Sequence, residues 1–141
     1  MGIALRALGE GRADQAPDTD LHSRPPRWHI ASLIAATELA AATLGALAAG
    51  GQPPATRTDQ HSTTVAAIMY AAPTIPALLT RLEQDRRLLT SLARSSQTRL
   101  SQQIDSPWGH VSLRQLLAMV TVVEAARCAV LLEEAGTRAE A

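Results

Sequence analysis

The sequence predicts an all-α protein: a small helical bundle of three long helices plus one short helix, with a disordered N-terminal arm. Three observations predict it. The first is composition: with no Phe, one Tyr and two Trp in 141 residues, the core must be built from Leu, Val, Ile and Ala. Alanine is the strongest helix former and lets helix axes approach closely. The second is periodicity, because apolar residues recur at the helical spacing through segments of helix length. The third is punctuation, since Gly, Pro and capping residues fall where those segments end. At this length the chain makes one domain with a modest core.

Residues 1–26 mix Gly, Asp, Arg and Pro without sustained periodicity and read as the flexible arm. The bundle is expected over 27–136, with 137–141 a frayed tail. Its first helix spans about 28–49, with Ile30, Leu33, Ile34, Leu44 and Leu47 on one face. Gly50 and Gly51 end it, and "GGQPPATRTDQH" is a linker of helix breakers. Ser62 or Thr63 can cap a short helix to about residue 72, where Pro73 stops it. Thr74 can cap a third helix, expected over 75–104, in which Glu83 and Arg87 form an i,i+4 pair. After "DSPWGH", Ser112 and Gln115 form a capping box for the last helix, 112–135, and Gly136 is its natural terminator.

Charge and cysteine content narrow the function. All thirteen basic residues are Arg, and Lys and Asn are absent, which reads as the codon bias of a GC-rich genome. The formal net charge is zero, so no general attraction to nucleic acid or anionic membrane is expected. A single cysteine, Cys128, excludes an internal disulfide. The opening run is too short for a secretory signal, and Arg6 occupies the position where a myristoylation motif wants Ser or Thr. A cytoplasmic location is the expectation.

The stretch "LLAMVTVVEAARCAVLL", residues 116–132, tests that expectation. It is 17 residues long and contains Glu124 and Arg127, whereas a bilayer span needs about 20 predominantly apolar residues. Residues 30–50 are interrupted by Glu38. Burial within a bundle or oligomer accounts for the same composition without the cost of a charge in lipid, so no membrane insertion is expected.

Placed at 100° per residue, Glu124 and Arg127 fall inside the face made by Leu113, Leu116, Leu117, Val120, Val123 and Leu131. Arg86 falls within the Leu82/Leu89 face, and Glu38 borders the Ile34/Leu44 face. Glu38, Arg86, Glu124 and Arg127 are therefore the candidate buried polar layer, serving either to fix helix register or to hold a carboxylate or phosphate ligand. No cofactor is implied. A ferritin-like metal site needs Glu-x-x-His, but Ala41 and Arg127 stand three residues after the two glutamates. Cys128 has no His at helical spacing, so no nucleophile–base pair can be assembled and no enzymatic activity is expected. "RWH" and "WGH" read as surface Trp–His turns.

The last helix is apolar nearly all round, more than a bundle of this size readily buries. The expected function is protein–protein association, with itself or with a partner helix. One alternative is a nucleic-acid-associated regulator using Arg81, Arg87, Arg94 and Arg99, although these scatter around their helix. The other is a small-molecule sensor built on the mid-bundle Arg/Glu layer.

Overall fold

The computed structural model describes residues 23–140, and the side chains of 23–137; the predicted N-terminal arm lies outside the described residues as far as position 22. Helix α1 is Pro26–Ala48, α2 is Ser62–Ala71 and α3 is Ile75–Ser95. A two-stranded antiparallel hairpin comes next, β1 Gln103–Ser106 and β2 Gly109–Ser112. Helix α4 then runs through three contiguous segments: α-helical Leu113–Ala118, π-helical Met119–Glu124 and α-helical Ala125–Glu140. The protein is mostly helical, as expected, with one small sheet that the sequence pattern did not reveal.

Local chemistry explains most of the boundaries. Ala46, Leu47, Gly50 and Gly51 close α1 with a Schellman motif: Gly51 N–H donates to the Ala46 carbonyl at 2.8 Å and Gly50 N–H to that of Leu47 at 3.1 Å. Gly50 has φ 76°, the left-handed conformation this motif needs. The Thr74 hydroxyl accepts from Ala77 N–H at 3.2 Å, capping α3. The Ser112/Gln115 capping box forms in both directions, at 3.1 and 2.8 Å. His61 occupies the N-cap position of α2, not Ser62 or Thr63.

Two boundaries differ from expectation. Helix α3 stops at Ser95, well short of 104, because the polar run through Gln97 offers no apolar face to bury. Ile104 still reaches the core, but from β1. The "DSPWGH" segment is the hairpin turn: Ser106 pairs with Gly109, and the Ser106 hydroxyl accepts from Trp108 N–H at 3.1 Å and donates to the Gly109 carbonyl at 2.8 Å. Gly109 has φ 102°, which explains a glycine there. At the other end, Gly136 does not stop α4, which continues to Glu140.

Helix α1 is the axle. α3, α2 and α4 pack around it in two apolar clusters. One joins Ile30, Ile34 and Ala35 to Val65, Ile68 and Leu78. The other joins Ala40, Ala41 and Leu44 to Leu89, Ile104, Leu113, Leu116 and Val120. Alanines at 31, 35, 36, 40 and 41 are all buried, which lets neighbouring helices come close on several sides at once.

Among the described residues, two helices are long and apolar enough to cross a membrane: Pro26–Ala48, 23 residues, and Leu113–Thr137, 25 residues. The expectation of a cytoplasmic location is therefore corrected. The 17 residues of 116–132 understate the span, because the helix itself extends beyond them at both ends. Within the fold the two helices differ sharply. The apolar window of α1 is 61% buried by the rest of the protein, and that of α4 only 17%.

Candidate functional site

The four residues expected to form one polar layer occupy two separate clusters and a groove wall. Glu38 lies on α1 between the two apolar clusters and receives a bidentate pair from Arg81, at 2.7 and 2.9 Å. Asp85, one turn further along α3, shares a hydrogen bond with the Glu38 carboxylate. Burial first, and then the hydrogen bond to Glu38 and the Glu38 charge, push the Asp85 carboxyl up to about 7. Asp85 Oδ2 is otherwise buried without a partner, which is consistent with a protonated group donating to Glu38. Glu38 thus stands in a half-buried polar cluster with Arg81 and Asp85, and Arg86 is not part of it.

Glu124 belongs to the second cluster. Its carboxylate meets Arg57 at 3.3 Å and Arg127 at 3.6 Å. Arg57 comes from the linker after α1 and is held by both oxygens of Asp59 at 2.8 Å. Its guanidinium lies 4.6 Å over the Trp108 ring, so one arginine ties linker, hairpin and α4 together. Asp59 is buried, and two carboxylates around Arg57 raise the affinity of that guanidinium for its proton despite burial. Arg57 and Asp59 were not singled out from the sequence. The only signal was R-x-D inside a stretch otherwise made of breakers.

Arg127 is about half exposed, contrary to its placement inside the apolar face, and Val123 is exposed too. The π-helical turn is the reason. The buried stripe of α4 reads Leu113, Leu116, Val120 and then Cys128, Leu131, Ala135. Eight positions separate its two halves, Val120 to Cys128, where two turns of unbroken α-helix cover about seven. A wheel drawn at constant pitch therefore misplaces the residues beyond Val120. Cys128 is buried against α1 and donates its thiol to the His29 backbone carbonyl at 3.5 Å. His29 is itself buried, with Trp28 edge-on at 5.6 Å, so "RWH" is not a surface turn. His110, on the hairpin, pairs with Asp105 at 2.8 Å and is exposed.

Arg86 reaches neither cluster. It stands at the rim of a groove of about 480 Å³ between α1, α3 and α4. Leu82, Leu89, Ala93, Leu100, Leu117 and Val120 form much of the wall, and Arg94 stands at the same rim. The Thr37 and Thr121 hydroxyls, also in the lining, donate back to Leu33 and Leu117 carbonyls at 2.8 and 2.7 Å. Those bonds satisfy the hydroxyls within their own helices.

The arginines proposed for nucleic acid do not form one surface. Arg81 is committed to Glu38, Arg87 to Glu83 at 3.0 Å, and Arg99 to the Leu47 carbonyl at 3.4 Å. Only Arg94 of that set is without such a bond among the described residues, and it faces the groove. No protein-family model, no curated protein and no solved structure matches this chain.

Proposed function

We propose that the protein acts without catalysis, by helix–helix association through the outer face of α4. One observation carries the reading: a 25-residue apolar helix has four-fifths of its window outside the protein's own core. Ala118, Val122, Ala126 and Val130 repeat at four-residue intervals along the uncovered side, and all four are exposed. Small side chains at that spacing let a second helix approach closely, in water or in a bilayer. The same helix is the one through which the chain would enter or lie against a membrane, since α1 is sheathed by its neighbours.

The experiment is light scattering of the protein with and without mild detergent, alongside fractionation of cells expressing it. The expected result is an oligomer or a membrane-bound form that Val122→Glu with Val130→Glu returns to soluble monomer. A wild-type protein that is monomeric and soluble in both conditions would overturn the reading.

A further inference from the structure

The α1/α3/α4 groove is separate from the outer face of α4, and two arginines of α3 line it. Its walls are aliphatic, and its volume of about 480 Å³ lies within the range of sites that enclose small ligands, about 300–1,000 Å³. Arg86, Thr90 and Arg94 stand in a row on α3, one helical turn apart, and all three line the groove. Neither Arg86 nor Arg94 has an ion-pair or hydrogen-bond partner among the described residues, whereas Arg57, Arg81 and Arg87 each hold a carboxylate. About 12 Å separates their backbone positions, and two long side chains can converge over Thr90 from either side. Val120 and Thr121 on the opposite wall belong to the π-helical turn of α4. Such turns are frequent at functional sites because they widen a helix locally.

We infer that this groove binds a single-chain amphiphile with an anionic head, namely a long-chain carboxylate. The chain lies along Leu82, Leu89, Leu100 and Leu117, and the carboxylate is held at the rim by Arg86 and Arg94. An apolar wall alone would accept any hydrocarbon. Two uncommitted guanidinium groups at one rim select the anion, because each offers a planar fork of donors to a carboxylate.

The test is titration calorimetry of the full chain with decanoate, laurate and myristate below their micelle concentrations, and with the primary alcohol matching each. Each added methylene should tighten binding about fourfold until the groove is filled. Each carboxylate should bind at least about tenfold tighter than its alcohol. Arg86→Gln with Arg94→Gln should remove that preference while alcohol binding and the far-ultraviolet circular dichroism stay unchanged. Ala93→Leu should weaken every ligand by filling the wall. Val122→Glu with Val130→Glu should leave ligand affinity as it was, which separates this site from the association face. Equal binding of carboxylate and alcohol by the wild type, no dependence on chain length, or full affinity in the Ala93→Leu variant would each overturn the proposal.

Discussion

Helices α1 and α4 have the same mean hydropathy over their most apolar windows, yet one is sheathed and the other open. Composition therefore does not decide which helix becomes the core. Position and side-chain size do. Helix α1 distributes its alanines around the whole circumference, so α2, α3 and α4 can all reach it. Helix α4 concentrates Leu113, Leu116, Val120, Cys128 and Leu131 on one stripe and leaves valines and alanines outside. The two helices also answer their central charges differently. Glu38 of α1 is met by an arginine from a packed neighbouring helix, and Glu124 of α4 by one from a linker.

The largest expected effect comes from this difference in cover. Leu44→Ala, in the middle of the second apolar cluster, should cost about 3–5 kcal/mol of stability, the range for a leucine truncated in a tight core. Val130→Ala, on the open side of α4, should change stability by less than about 0.5 kcal/mol in the monomer. Urea denaturation of both variants checks the pair. Equal losses would mean that the open face of α4 is covered in solution by something the single chain does not supply.

Next in size is the linker arginine. Arg57→Ala leaves Asp59 buried without its cation and frees Glu124 from the linker, so a loss of about 2–3 kcal/mol is expected. Arg81→Ala should cost less, about 1 kcal/mol, because the Arg81–Glu38 pair is a third exposed and Asp85 can still donate to Glu38. Thermal unfolding of the two variants in the same buffer gives the order. A larger loss at Arg81 would show that the charge on the sheathed helix matters more.

Features written locally were legible in the sequence, and features set by the packing of distant segments were not. The α1 terminator, the Thr74 cap and the Ser112/Gln115 box are written within a few consecutive letters, and each formed. Glu38 was legible as an intrusion into an apolar face, but its partners were not. Arg81 and Arg86 differ by only a little over one turn of α3, and sequence alone does not fix the rotation of one helix against another. The π-helical turn left no compositional mark. Its single trace was that Glu124 and Arg127 sat implausibly within an apolar face, which a change of pitch after Val120 resolves. The hairpin was hidden because Leu100 and Ile104 continue the apolar period of α3 past its true end. The last helix was expected over 112–135, but only 116–132 was weighed against the length of a bilayer span, because an apolar count excludes the polar letters through which the helix continues.

A smaller effect should come from the α4 cap. Ser112→Ala removes the acceptor for Gln115 N–H and should cost about 1 kcal/mol. Helix α1 begins with Pro25 in the cap position and no side-chain bond, so Pro25→Ala should move stability by only a few tenths of a kcal/mol. Chemical denaturation resolves the contrast. Equal effects would mean that packing alone sets where both helices begin.

The last expected effect is the most diagnostic for the sheathed helix, because it depends on pH. With its carboxyl raised to about 7 in the fold and near 3.9 when unfolded, Asp85 binds a proton in the native state that the unfolded chain releases. Its contribution to stability is therefore fully present below about pH 4 and is lost as pH rises to about 7. Above that, Asp85 stands as a second carboxylate against Glu38, and the single cation Arg81 leaves the cluster with a net negative charge. Asp85→Asn keeps a donor toward Glu38 at every pH and removes the titration. Because Asp85 is partly solvated, the gain over wild type at pH 8 should be on the order of 1 kcal/mol or less, shrinking to nothing by pH 4. Parallel melting curves across that range measure it. A gain that is the same at both ends would mean that the shared proton is absent, and that Arg81 alone holds the Glu38 carboxylate.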